Sequence, residues 1–275
     1  MRPPKKPGKD RRHFYPKPAA RPGQGGERAA DQHRNRHAKP ENWLYGLHAV
    51  QAALANPDRK LGRALLTPRA AETIGKELLD RVRVEILEPD AIGKLLPPGA
   101  VHQGAALEAQ PLPRLELEAV LEAGDSGKRR IVLVLDQISD PHNVGAILRT
   151  AAAFGVAAVV VQDRNAPPQS GALAKAASGA LDIVPYVEVV NIARALDQLG
   201  EHGFWRIALA GDGDQSIAEA PPAGDVALVL GSEGAGIRRL VREHCEAAAF
   251  IPIAQAMESL NVSNAAAIAL YEMRR

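Results

Sequence analysis

Cysteine is almost absent, aromatic residues are few and long apolar runs are missing, and each shortage removes a class of protein. The single Cys245 excludes an intrachain disulfide, fits a reducing, cytoplasmic compartment and is expected to serve as buried packing. Apolar runs such as residues 151–161 fall far short of the roughly 20 residues a membrane-spanning helix needs. No Cys or His cluster has metal-ligand spacing, so no metal is expected; His33 and His37 are four apart but lie in a segment that reads as solvated. Neither the dinucleotide fingerprint nor a phosphate-binding P-loop occurs, which removes the main support for a nucleotide-dependent oxidoreductase or ATPase.

What is present divides unevenly. Of the 275 residues, the first 40 carry 12 Lys/Arg against 3 Asp/Glu, with seven prolines, four glycines and no Val, Ile or Leu. Such a stretch cannot bury enough apolar surface to offset its ordering entropy, so residues 1–40 read as a disordered basic tail. A block of like charge attracts phosphate backbones through counterion release, although a solubilising extension has the same composition. The tail is too rich in Pro and too poor in Ser for an amphipathic targeting helix. The remainder carries 22 Lys/Arg against 29 Asp/Glu and has an ordinary globular texture.

Residues 41–110 read as a small alternating α/β unit: a helix from Leu47, strands over 63–66, 83–87 and 104–108, a helix over 70–80 and a short helix after Pro89. Residues 111–130 hold prolines, glycines and charges that suit a linker with a short helix inside it. Residues 131–275 form a second alternating unit, with strands over 131–135, 158–161, 183–189, 205–210, 226–230 and 248–251. Helices are expected over 144–154, 172–177, 192–202, 237–244 and 263–273. Continuous apolar strands indicate a mostly parallel sheet covered by helices on both faces, and ligands of such sheets sit beyond the strands' carboxyl ends.

Three polar stretches begin at those ends. In Asp140-Pro-His-Asn-Val-Gly-Ala-Ile-Leu-Arg149, Asn143 stands near a helix start and Arg149 nearly two turns on, a pairing suited to a phosphodiester or, more plainly, to a helix cap and a surface ion pair. Leu230-Gly-Ser-Glu-Gly-Ala-Gly236 ends a buried strand with three glycines around Glu233: Gly231 could admit a ligand to the backbone, while Gly234 and Gly236 permit a turn closed to other residues. After Ile251-Pro-Ile253, Ser259, Asn261 and Ser263 alternate with Leu260 and Val262. One of these polar residues suffices to cap the closing helix, and the surplus suits a ligand's uncharged polar edge.

In this order and spacing the three stretches resemble the motifs of the SpoU class of RNA ribose 2′-O-methyltransferases, within the SPOUT superfamily. Tyr45-Gly-Leu-His-Ala-Val50 and Val101-His-Gln-Gly-Ala-Ala106 are similar to the amino-terminal substrate-binding domain of its ribosomal RNA members. The resemblance implies an α/β protein in which a ribosomal-protein-like (L30e-like) domain precedes a SPOUT domain with a deep carboxyl-terminal trefoil knot. It further implies a homodimer that binds S-adenosylmethionine against Leu230, Gly231, Ile251 and Leu260.

The catalytic set carried over is Asn143, Arg149, Glu233, Ser259 and Asn261. Arginine is effectively always protonated, which makes Arg149 a poor base and a good phosphate clamp and stabiliser of a developing alkoxide. Asn143 would orient ribose or phosphate, Glu233 would fix Arg149 or another polar group, and Ser259 with Asn261 would order the site. The expected substrate is a guanosine ribose in 23S ribosomal RNA. Transfer RNA is the alternative substrate, and a non-catalytic RNA-binding assembly factor the alternative function.

Overall fold

A computed structural model describes residues 42–122, 129–220, 224–254 and 256–275. The basic segment expected over 1–40 lies outside the described residues. The remainder builds two sheets that share one apolar interior.

The first sheet has the order β1-β4-β2-β3, with β1 Trp43–Tyr45, β2 Leu61–Leu66, β3 Arg83–Ile86 and β4 Ala105–Ala109. β4 runs antiparallel to β1 and β2, and β3 runs parallel to β2. β1 was not foreseen: its three residues are all buried, so no alternation marks them, and only pairing with β4 makes them a strand. Helix α1 spans Leu47–Ala55. The single helix expected over 70–80 is two, α2 Pro68–Ile74 and α3 Lys76–Leu79. Thr67 caps α2 ahead of Pro68, and Gly75 ends it at φ +86°, a conformation in which the helical hydrogen-bond ladder cannot continue. A short α4, Pro89–Gly93, follows β3 as expected.

The second sheet comprises β5 Ile131–Asp136, β6 Ala158–Gln162, β7 Tyr186–Val189, β8 Trp205–Leu209, β9 Gln215–Ser216, β10 Val226–Gly231 and β11 Ala247–Phe250, in the order β7-β6-β5-β10-β8-β11-β9. All its paired neighbours are parallel. Along β5, Ile131, Leu133 and Leu135 enter one core, whereas Val132 and Val134 enter the other, as the two-residue period of a strand requires. Helices α6 Pro141–Ala153, α7 Gly171–Ala177 and α10 Val262–Arg274 cover the first face. Helices α5 Leu117–Glu122, α8 Ile192–Glu201 and α9 Arg239–Arg242 cover the second.

Several boundaries differ from the sequence reading, two of them for a clear local reason. The strand expected from Ile183 begins at Tyr186, because residues 180–182 form a 3-10 turn that leaves Ile183 exposed. The helix expected over 237–244 shrinks to α9, because Ser232 to Arg238 is a folded loop in which Ser232 bridges Gly236.

The first sheet is pressed onto α7 and the turn behind it. An added Cβ at Gly171 would stand 2.3 Å from Tyr45 Cε1 and 2.4 Å from the Trp43 carbonyl, so only glycine fits there. Across the same seam Arg59 pairs with Asp182 at 2.7 Å, with 0% and 1% of their side chains exposed, and Asn56 donates to the same carboxylate oxygen at 3.1 Å. The end of α10 is tied beneath β5: Arg274 donates to the carbonyls of Phe154, Gly155 and Arg129, and Arg129 donates to that of Met273.

Candidate active site

The three polar stretches converge at the carboxyl ends of β5 and β10. Asp140 caps α6 by accepting from the His142 N–H at 2.9 Å, with Pro141 in the first turn. Asn143 is therefore released from capping. Its Nδ2 donates to Glu233 Oε1 at 3.2 Å, and its Oδ1 accepts from Asn261 Nδ2 at 3.0 Å. Asn261 Nδ2 also donates to Glu233 Oε1 at 2.7 Å, while its Oδ1 caps α10 by accepting from the Ser263 N–H at 2.9 Å. One asparagine thus starts the closing helix and joins the network, linking segments 118 residues apart.

Glu233 is held by the loop that carries it. Gly234 and Gly236 take φ of +83° and +67°, which lets the chain reverse. Gly231 meets a steric requirement besides the ligand approach expected of it. A Cβ there would lie 2.2 Å from the Gly236 carbonyl carbon, so the close approach is made by the chain's own loop. Just beyond, the Arg238 N–H and Nε each donate at 2.8 Å to Asp136, which is fully buried at the end of β5, and Arg238 Nη2 donates to Gln162 at 3.1 Å. This anchor was not identified from the sequence. A carboxylate closing a run of apolar strand residues is the signal that marks it.

Behind the network opens a cleft of about 540 Å³. Leu230, Gly231, Ile251 and Leu260 all line it, together with Glu233 and Ser259. Ser259 is exposed and makes no hydrogen bond among the described residues. Leu209 through Asp212, Arg242 and Glu258 are also on the wall and are not marked by the sequence motifs, although Gly211-Asp-Gly-Asp214 follows closely on a strand end. Arg242 Nη1 donates to both Asp212 carboxylate oxygens at 2.6 and 2.7 Å, and this bond holds the Asp212 carboxyl below its ordinary pKa.

Arg149 stands apart. Six positions beyond Asn143 it is rotated about 240° around α6 and displaced about 9 Å along it. It is exposed, lies outside the cleft wall and has no ion-pair or hydrogen-bond partner among the described residues. Glu233 therefore holds Asn143 and Asn261 and not Arg149. Cys245 is half-buried beside α9, and burial pushes its thiol up to about 12. No group of His, Cys, Asp and Glu among the described residues could hold a metal ion.

Two family models match the chain: the SpoU rRNA Methylase family over residues 130–271, and the RNA 2′-O ribose methyltransferase substrate-binding family over 43–115. The chain belongs to the SpoU rRNA methylase family. Among its curated relatives, the 23S rRNA (guanosine-2′-O-)-methyltransferase RlmB of Yersinia pestis is 39% identical, the match covering 84% of this chain and 96% of that protein. The enzyme of the same name from Pseudomonas putida is 37% identical over 84% of this chain and 95% of its own length. Among solved structures, the SpoU methyltransferase AviRb of Streptomyces viridochromogenes with its cofactor AdoMet shares the fold at a TM-score of 0.71 and 21% identity, over 85% of this chain and 89% of that one. An RNA 2′-O ribose methyltransferase is similar at a TM-score of 0.66 and 25% identity, over 87% of this chain and 90% of that one. In this SpoU-family chain the network of Asn143, Glu233 and Asn261 draws one residue from each of the three stretches on which the resemblance rested.

Proposed function

We propose that this chain transfers a methyl group from S-adenosylmethionine to the 2′-hydroxyl of a guanosine ribose in 23S ribosomal RNA, in the cytoplasm. The carrying observation is the closure of Asn143, Glu233 and Asn261 into one network at the mouth of the cleft that Leu230, Gly231, Ile251 and Leu260 line. The substrate is supported by relatives named for that activity, of which the chain covers nearly the whole length.

The cleft suits the cofactor. Its volume of about 540 Å³ falls within the roughly 300–1,000 Å³ usual for small-molecule sites, and its wall joins aliphatic side chains to main chain at Gly231, Gly234 and Gly236. When bound, S-adenosylmethionine supplies an electrophilic methyl group on a sulfonium. Glu233 accepts from both asparagine amides, which fixes their orientation and leaves Asn143 rigid toward an incoming ribose. Arg149, without a carboxylate beside it among the described residues, clamps a backbone phosphate, and it reaches the forming alkoxide only across a homodimer, since it lies off its own chain's cleft. The hydroxyl proton passes to a phosphate oxygen or to water. Ser259, on the cleft wall, is placed to order the polar edge of whatever fills it.

The chain divides on this reading into a basic tail over 1–40 that contacts RNA, an L30e-like substrate-binding domain over 41–110, a linker over 111–130 and the SPOUT methyltransferase domain over 131–275. A trefoil knot in the last domain is proposed on the chain's membership of the SpoU family. A homodimer is favoured by Arg149, which faces away from its own chain's network. Ile268 and Tyr271, 39% and 58% exposed on the α10 that packs beside α6, offer it a seam.

Mapping of ribose methylation in total RNA from a deletion strain against wild type tests the function. Loss of one guanosine mark in 23S RNA is expected. Loss confined to transfer RNA would move the substrate there, and an unchanged map would favour the non-catalytic assembly factor.

A further inference from the structure

We infer that Asp212 and Arg242 form a receptor for the zwitterionic amino-acid end of the cofactor, a role distinct from that of the Asn143, Glu233 and Asn261 network. The inference rests on the reading of the cleft as the cofactor site. Among the described residues, Arg242 is the only cationic one that lines it. Of the three carboxylates on the wall, Glu233 is committed to two asparagine amides and Glu258 has no cation paired with it, so the Asp212–Arg242 pair is where both signs of charge stand side by side among the described residues. An α-carboxylate beside an α-ammonium is complementary to that pair in sign, the guanidinium fork taking the carboxylate and the aspartate taking the ammonium. Adenine and ribose carry no charge and have no use for it.

The pair is held ready. The turn bearing Asp212 is stapled to β11 by the Ala210 N–H donating to Ala249 at 2.9 Å and the Asp214 N–H donating to Ala248 at 3.0 Å. Gly213 allows that contact, since its Cβ would stand 2.6 Å from the Ala249 carbonyl carbon. Arg242 is fixed at the end of α9 by Asp212 itself, and its Nη2 reaches the Asp212 carbonyl at 3.4 Å. Yet 74% of the aspartate side chain and 34% of the arginine side chain remain exposed. A pair so open to water contributes little to stability, and both of its members line the cleft. Its position also fits. β10 separates β8, which Asp212 follows, from β5, which Asn143 follows, so the pair and the Asn143 network stand at different strand ends.

Calorimetric titration of the full chain with S-adenosylhomocysteine and with 5′-methylthioadenosine, which keeps adenine, ribose and thioether but lacks the amino-acid end, tests this without turnover. Asp212→Asn and Arg242→Gln should each weaken S-adenosylhomocysteine by about tenfold to a hundredfold, the size expected for losing a charge-assisted hydrogen bond, and leave methylthioadenosine within about twofold. The double variant Asp212→Arg with Arg242→Asp retains an ion pair of reversed polarity and should not regain affinity. Equal weakening of both ligands, or recovery in the reversed pair, would make the pair a brace for the loop and overturn the inference. Unchanged affinity for S-adenosylhomocysteine would do the same. Failure of the unaltered chain to take up either ligand would instead overturn the cofactor cleft itself.

Discussion

The seam between the two sheets and the cleft at the strand ends handle charge in opposite ways. At the seam Arg59 and Asp182 are sealed from water and stand among close-packed side chains, with Gly171 pressed on Tyr45. At the cleft Glu233 and Asp212 stay open to solvent, and Arg149 on the neighbouring surface has no partner among the described residues. A sealed pair serves architecture, because breaking it strands a charge in a dry interior. Open charges do little for stability and remain available to a ligand.

Substitutions can break or sharpen this contrast. Asp182→Ala should have the largest effect on folding, about 3–5 kcal/mol of unfolding free energy in a denaturant titration, because Arg59 is left buried without its counter-charge. A loss below about 1 kcal/mol would show that water reaches the seam. Arg149→Ala should leave the denaturation midpoint unchanged and lower kcat by about 10²- to 10³-fold, with cofactor affinity in calorimetry nearly intact. Equal loss of cofactor binding would place Arg149 in the cofactor site and blur the division.

Asn261→Ala touches both regions of behaviour. It should cost about 1 kcal/mol through the lost cap of α10, and also reduce methyl transfer because Glu233 and Asn143 lose a shared partner. Asn261→Asp retains a capping oxygen and should recover the stability but not the activity. At the small end, Arg239→Ala removes an exposed i,i+4 pair with Glu243 and should change stability by less than about 0.5 kcal/mol, the control against which the seam is judged.

Much of the second sheet was legible before any coordinates, because strands buried on both faces write themselves as unbroken apolar runs such as Ile131–Leu135 and Val226–Leu230. Asn143, Glu233 and Asn261 were legible for the converse reason: polar groups abutting such runs have no place in a core. Strand β1 and the split at Gly75 were not, since three residues carry no period and one glycine inside a helical pattern is compatible with continuation. Neither Asp136 nor Arg238 belongs to a motif, and their significance appears only when residues 102 apart form one ion pair around a fully buried carboxylate. Asp212 and Arg242 likewise belong to no motif.

The sequence by itself determined the family, the alternating architecture and the chemical character of the site, because residue type and spacing report burial, backbone freedom and charge locally. Only the tertiary structure decided which polar residues meet. It joined Asn143, Glu233 and Asn261, turned Arg149 to another face of its helix and set Arg242 against Asp212 on the cleft wall. The reason is physical: hydrogen bonds and ion pairs reach only about 3 Å, and the order of strands in a sheet, not their order in the chain, sets which loop ends come within that distance.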